Sequence, residues 1–401
     1  MSSAMLEVAD VVRGYGAEYV RIHKLPRRHL RALHDIASCR TAMLGGHVDR
    51  CEECGYERIS YNSCRNRHCP KCGSMAKERW LKARTEELLP IQYFHLVLTL
   101  PDDLNALALI NQREIYTLLF QAAGETLLKL GRDKKHLGAE VGVIMVLHTW
   151  GQNLMHHPHA HCIVTGGGLS EDGTRWTGSR GNFFIPVRVL SRVFRGKFLE
   201  QLKKVYHGGH PKCIGRAKEL EYRENFQGLV DGLYKKEWVV YAKRPFGGPE
   251  QVLNYLGRYT HRVAISNHRL VGMADGKVSF RWRDYRDHDR EKVMTLETSE
   301  FLRRFLLHIL PDGMCKIRYY GLLSNKKKKE RLDRCRRLLD MPTPKVREET
   351  ATWQEMLLEL KGIDVLLCPS CRKGRMAGER MLLPTGRSNY FFGMSNSYAP
   401  P

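Results

Sequence analysis

His157-Pro158-His159-Ala160-His161 is the stretch whose residue types and spacing can do chemistry. Alternate residues of a strand point to one face, so His159 and His161 aim two imidazoles at one metal ion. About a hundred residues later come Tyr255 and Tyr259. Residues four apart share a face of a helix. A bound divalent metal with paired tyrosine hydroxyls is equipment for cutting a nucleic-acid strand. The metal polarises the phosphate, a tyrosine attacks, and the ester energy is kept in a phosphotyrosine.

Two protein ligands do not hold a metal. Gln152 lies seven residues before His159, and a turn between them brings its amide oxygen toward the same ion; His148 and His157 compete for that place. Imidazole and oxygen ligands with open positions suit Mg²⁺ or Mn²⁺ in phosphoryl transfer. His-x-His also occurs in amidohydrolases and in metallo-β-lactamase-like hydrolases. The first would want repeated βα units, and the second an Asp soon after the pair, where this chain has Cys162 and Ile163. A hydrogen-bonded histidine pair on a sheet face is the plain alternative. Tyrosine titrates near 10, so as a nucleophile it needs cations close by. Arg258, His261 and Arg262 supply them, whereas two core aromatics at helical spacing would want aliphatic neighbours.

A second metal signature lies upstream. Cys51-x2-Cys54 and Cys69-x2-Cys72 are two knuckles, and thiolates so spaced close a tetrahedral zinc site. Cys64 and His68 stand between them and leave the ligand set open. A four-ligand site has no open position and is by default a folding staple. The loop it holds is basic, however, and Arg65, Arg67 and Lys71 are expected to contact DNA. Cys368-x2-Cys371 is a lone knuckle, either completed by distant ligands or simply two surface thiols. Cys39, Cys162, Cys213, Cys315 and Cys335 stand singly and read as packing residues.

Charge names the class of partner. Lys plus Arg number 66 against 43 Asp plus Glu, a formal net charge of +23, which points to a polyanion such as nucleic acid. No apolar run approaches the roughly 20 residues that span a bilayer, and no lipidation motif is present. The start carries no secretory core, so the expected setting is cytoplasmic, at the nucleoid, with reduced cysteines and no membrane partner.

These residues need elements to position them. Strands are expected at 93–100, 143–150, 159–164 and 238–243, with Gly166-Gly167-Gly168 turning the third by unusual backbone angles. Helices are expected within 17–45 and at 75–88, 104–130, 187–206, 249–260, 298–309 and 327–340. Short strands near 263–274, 277–284 and 290–296 complete the pattern. Hairpin-like spacing without regular βαβ alternation predicts an α+β fold with an antiparallel sheet. Residues 1–90 read as a helical and zinc-binding DNA-binding module, 91–325 as the core, and 326–401 as a basic helix and flexible tail.

Taken together, SYNSCRNRHCPKC (60–72), YFHLVLTLP (93–101), TWGQNLMHHPHAHCIVTGGGLS (149–170), YLGRYTHRVAISNHRL (255–270) and IRYYGLLSN (317–325) resemble the HUH-type, two-tyrosine rolling-circle transposases of the insertion-sequence-91 family. The resemblance covers about residues 20 to 340. It implies a nuclease core of antiparallel sheet behind an N-terminal zinc module, with His159 and His161 on the catalytic metal. It implies that Tyr255 and Tyr259 each form a 5′-phosphotyrosine and leave a free 3′-hydroxyl. It also implies single-stranded DNA of element ends and target as substrate, replicated by host enzymes. A plasmid replication initiator or conjugative relaxase would share this chemistry. A zinc-ribbon protein that only binds nucleic acid would bind without a covalent product. A tyrosine recombinase would place its tyrosine nearer the C-terminus.

Overall fold

The computed structural model describes residues 5–179, 181, 185–209, 211–243, 251, 253, 257, 260, 264–285, 287–342 and 352–385. In chain order the elements are α1 (Val8–Ile22), α2 (Arg27–Ser38), β1 (Gly46–Cys51), β2 (Glu57–Tyr61), α3 (Gly73–Thr85), β3 (Tyr93–Thr99), α4 (Asn105–Ile110) and α5 (Gln112–Arg132). There follow β4 (Glu140–Trp150), β5 (His156–Leu169), β6 (Trp176–Gly178), α6 (Val187–His207), α7 (Arg223–Lys235) and β7 (Val240–Lys243). The last third holds β8 (Leu270–Ala274), β9 (Lys277–Asp284), β10 (Arg290–Glu297), α8 (Thr298–Leu306), β11 (Ile317–Gly321), α9 (Lys328–Leu338), α10 (Trp353–Lys361) and β12 (Met376–Leu382).

The central sheet runs β11-β4-β5-β3-β7, with β6 on the end of β5, and its pairings are antiparallel. The α+β expectation is borne out. Side-chain alternation sorts the two faces. Val143, Met145 and Leu147 of β4 and Ala160, Cys162 and Val164 of β5 pack into a core with Phe120 of α5 and Phe194 and Phe198 of α6. Ile144, Val146 and Ile163 face the other way, against Leu81, Leu322 and Leu332. Cover on both faces buries β5 along nearly its whole length instead of leaving alternate residues exposed.

Two expectations need correction. Gly166, Gly167 and Gly168 do not turn the chain: they continue β5 with ordinary backbone angles. They are glycines because a Cβ would stand 2.6 Å from the Gln92 carbonyl oxygen, 2.6 Å from the Trp176 ring and 2.3 Å from the Glu140 carbonyl oxygen respectively. The helix expected at 104–130 breaks at Asn111 into α4 and α5. There the Asn111 amide donates to the Leu107 and Lys212 carbonyls and its oxygen accepts from the Lys212 N–H.

The stretches 1–90, 91–325 and 326–401 interleave in space. Val8, Val12, Leu33 and Ile36 of α1 and α2 share one core with Leu270, Phe280, Phe301 and Phe305 of the β8–β10 sheet and α8. A third sheet, β12-β1-β2, joins residues 376–382 to the N-terminal region. Part of the expected tail is therefore a folded strand. No described helix is long and apolar enough to cross a membrane.

Candidate metal centre and its cleft

Three imidazoles converge where β4 ends and β5 begins. His148 of β4 pairs directly across the ladder with His159 of β5. His148, His159 and His161 are buried, and their ligand-capable nitrogens all lie within 4.8 Å of one another. Two further features set their aim. A register irregularity separates the His148–His159 and Trp150–His156 pairs, at Pro158, whose ring nitrogen cannot donate to the ladder. A tight turn precedes it, with Gly151 N–H donating to the Met155 carbonyl and Leu154 in the left-handed region at φ 62°.

Hydrogen bonds fix which nitrogen of each ring faces inward. His159 Nδ1–H donates to the His157 carbonyl at 2.7 Å. His161 Nδ1 lies 3.0 Å from His95 Nε2 on β3. The remaining nitrogens, His159 Nε2 and His161 Nε2, face each other at 3.1 Å. Two imidazole nitrogens about 2.1 Å from one metal stand about 2.9–3.4 Å apart at octahedral to tetrahedral angles, so this spacing fits a shared ion. Burial, reinforced by His157, lowers the His159 pKa to about 3. Burial likewise holds His161 well below its ordinary value and lowers His95 to about 4. Neutral imidazole is the metal-binding form.

The site opens into a cleft of about 580 Å³, walled by Val97, Thr99 and Trp150 on the sheet and by Arg269, Trp282 and Tyr285 around β9. Gln152 lines this cleft, but its amide nitrogen donates to Tyr285 Oη at 3.0 Å. The His148 imidazole lies with the histidine pair, its ligand-capable nitrogen within 4.8 Å of theirs. His157 also lines the cleft, with its ring 3.8 Å from an Asp102 carboxylate oxygen. Sequence reasoning did not single out His95 or Tyr285. His95 sits in YFHLVLTL, where one polar residue in an apolar strand was the available signal. Tyr285 had none.

Tyr255, Tyr259, Arg258 and Arg262 lie outside the described residues. Their neighbours 251, 253, 257 and 260 are helical. Leu253 is buried in the cluster containing Leu81 of α3, and a Cβ on Gly257 would meet Leu81 at 2.5 Å.

The cysteines part company with the expected set. Cys51 and Cys54 do not meet Cys69 and Cys72. The latter two join Cys39 and Cys64, within 4.8 Å of one another, and Cys51 and Cys54 join Cys368 and Cys371. Cys39 is therefore not a mere packing residue: it ends α2, and its sulfur lies 3.5 Å from Cys72 Sγ. His68 points elsewhere, its Nε2 accepting from Arg67 Nε at 3.2 Å. Arg67 also donates to the carbonyls of Met314 and Pro311 at 2.6 and 2.8 Å, stapling the cysteine loop to the 310–314 turn. Lys71 pairs with Glu7 at 2.6 Å. Arg65 is exposed.

A family model described as "Putative transposase" matches residues 142–331, and one described as "Transposase zinc-binding domain", of insertion-sequence-91 type, matches residues 11–100. The chain is 52% identical over 373 residues to "Putative transposase y4qJ" of Sinorhizobium fredii, across 92% of this chain and 94% of that one. It is 30% identical over 318 residues to the transposase for insertion sequence element IS801 of Pseudomonas savastanoi pv. phaseolicola, across 77% of this chain and 73% of that one. Among solved structures, the conjugative relaxase TrwC in complex with oriT DNA matches 42% of this chain and 71% of its own at 13% identity and a TM-score of 0.24, which assigns nothing here. The chain belongs to the insertion-sequence-91 family of transposases.

Proposed function

We propose that this transposase nicks and rejoins single-stranded DNA through 5′-phosphotyrosine intermediates, as a metal-dependent strand transferase of rolling-circle transposition. The carrying observation is the trio His148, His159 and His161, buried and aimed at one point on the floor of an open cleft. The trio is favoured over the His159, His161 and Gln152 set expected from spacing because the Gln152 amide also bonds Tyr285. A divalent ion there, Mg²⁺ or Mn²⁺ in use, would draw charge off the scissile phosphate.

The chain's own residues supply the rest. A tyrosine Oη, of Tyr255 or Tyr259, attacks phosphorus. The bond from phosphorus to the 3′-oxygen breaks, and that oxygen leaves with a proton in place of the one lost by the phenol. The 5′-phosphate stays on the tyrosine until another 3′-hydroxyl attacks it and releases the phenol. One ester is exchanged for another throughout, so no ATP is needed. Arg258 and Arg262 beside the tyrosines, and Arg65 on the cysteine loop, hold phosphates. Arg67 and Lys71 act mainly within the protein, as their partners indicate. Host replication enzymes copy the displaced strand, at the nucleoid.

Tyr285, exposed in the lining of the cleft, would stack on bases of the strand, and Trp282 lines the same cleft. Family membership favours transposition over plasmid initiation or conjugation, whose chemistry would be the same. Joining assays with an oligonucleotide carrying the element's end test the proposal. Metal-dependent transfer of that end to a second strand is expected; salt-sensitive binding without transfer would leave only a nucleic-acid-binding protein.

A further inference from the structure

We propose that Cys51, Cys54, Cys368 and Cys371 bind a zinc ion of their own, which ties the C-terminal part of the chain to its N-terminal part as one split zinc ribbon. The family's zinc-binding model ends at residue 100 and already contains the four cysteines of the other group, Cys39, Cys64, Cys69 and Cys72. The second site draws half its ligands from more than 300 residues away, with 314 separating Cys54 from Cys368.

Sulfur spacing is the first support. Cys51 Sγ lies 3.8 Å from Cys371 Sγ, and Cys54 Sγ lies 3.7 Å from Cys368 Sγ. Four sulfurs about 2.3 Å from a tetrahedral zinc stand about 3.8 Å apart. A disulfide would need about 2.05 Å.

The backbone around the sulfurs repeats. In the first knuckle Gly55 N–H donates to the Cys51 carbonyl at 3.1 Å; in the second Arg372 N–H donates to the Cys368 carbonyl at 3.0 Å. The residue after each second cysteine is left-handed, Gly55 at φ 70° and Arg372 at φ 54°. For arginine this conformation is uncommon, and a shared turn geometry accounts for it. Gly374 N–H donates to Cys371 Sγ at 3.3 Å, as thiolate ligands favour. A Cβ on Gly374 would strike Cys51 Sγ at 2.5 Å, so glycine there admits the opposite knuckle.

The sheet supplies the third support. β12 runs antiparallel to β1 from Gly46–Leu382 to Cys51–Met376, so the strand leaving one knuckle is zipped to the strand entering the other. The two knuckles and three strands make a complete ribbon. Its apolar interior is little more than Cys51, Cys368 and Met376 with Cys371 beside them. So small a core needs a metal to hold it.

Cobalt substitution of the full-length protein reads the proposal, because thiolate-to-Co²⁺ charge transfer is blind to metal at the histidine site. Two thiolate-bound equivalents are expected in the wild type. Half the intensity should remain in a Cys368→Ser, Cys371→Ser variant, and half in a Cys64→Ser, Cys72→Ser variant. Alkylation of the zinc-loaded wild type guards against misfolded variants. Cys54 is exposed, so only a metal protects it; it should be shielded and then labelled together with Cys51, Cys368 and Cys371 on chelation. One thiolate-bound equivalent in the wild type, with Cys54 and Cys371 labelled at the rate of free thiols, would overturn the proposal. A mapped Cys54–Cys368 disulfide would do the same.

Discussion

His148 stands directly across the β4–β5 ladder from His159, and this pairing turns a two-histidine motif into a three-imidazole site. Cross-strand partners sit about 4.5–5.5 Å apart at Cβ. Position 148 is therefore committed to the metal face by the same register that commits 159. The Gln152 amide, out in the turn, is held by Tyr285.

The first prediction separates the two candidates for third ligand. His148→Ala should abolish metal-dependent nicking, and so should His159→Ala. Gln152→Ala should stay active, losing no more than the about 10–100-fold typical of an outer-shell change. Rates of oligonucleotide nicking against Mn²⁺ concentration check this. A dead Gln152→Ala beside an active His148→Ala would restore Gln152 as ligand.

His161 Nδ1 lies 3.0 Å from His95 Nε2, so His95 would act on a metal at this site through His161. His95→Phe should keep the fold and weaken metal affinity about 10–100-fold. Nicking should recover at high Mn²⁺. Calorimetric titration with Mn²⁺ gives the affinity; an unchanged value would mean that His95 only fills space.

The antiparallel core was legible because apolar runs such as YFHLVLTL and VIMVLHTW mark strands, and because His159 and His161 carry their own face assignment. That His148 stands beside them, and not only as a competitor of Gln152 and His157, was not, since a hairpin register depends on the irregularity between His148 and Trp150, which no local pattern announces. The cysteine pairing failed for a similar reason. Cys-x-x-Cys spacing identifies a knuckle but not its mate. Proximity in sequence favoured Cys69 and Cys72 for Cys51 and Cys54, whereas β12 crosses the whole chain to bring Cys368 and Cys371. Likewise Gly166–Gly168 read as a turn because glycine's lack of a side chain serves close strand packing as well as it serves bending.

Tyr285 is 69% exposed at the cleft mouth. Tyr285→Ala should weaken single-stranded DNA binding by about 1–3 kcal/mol, the range for one base stacked on an aromatic ring. Tyr285→Phe keeps the ring and should bind nearly as wild type. Fluorescence anisotropy at fixed salt reads both. Equal loss in the two variants would place the hydroxyl, not the ring, in the contact.

Stability should fall in mild acid. His308 is buried between the Thr149 hydroxyl and the Leu154 carbonyl, and burial lowers its pKa to about 4. His156 sits between Tyr116 and Asn105, and burial lowers it to about 3. Both are neutral when folded, while the unfolded chain takes up their protons below about 6.5. The unfolded state then binds more protons, so stability drops as pH falls from about 6.5 toward 4, by up to about 1.4 kcal/mol per pH unit for each histidine. Thermal unfolding from pH 7 to 4.5 should show a falling Tm, with a shallower slope in His308→Gln. A flat profile would contradict the burial of neutral imidazoles.

The central claim is a tyrosine nucleophile served by the histidine site. The direct measurement is mass spectrometry of the covalent adduct formed with single-stranded DNA bearing the element's end, in Mn²⁺ and in EDTA. The account predicts a metal-dependent adduct whose nucleotide-bearing peptide carries the phosphate on Tyr255 or Tyr259, lost in the Tyr255→Phe, Tyr259→Phe double variant and in His148→Ala. An adduct on Tyr285, or one that forms equally well in EDTA, would contradict it.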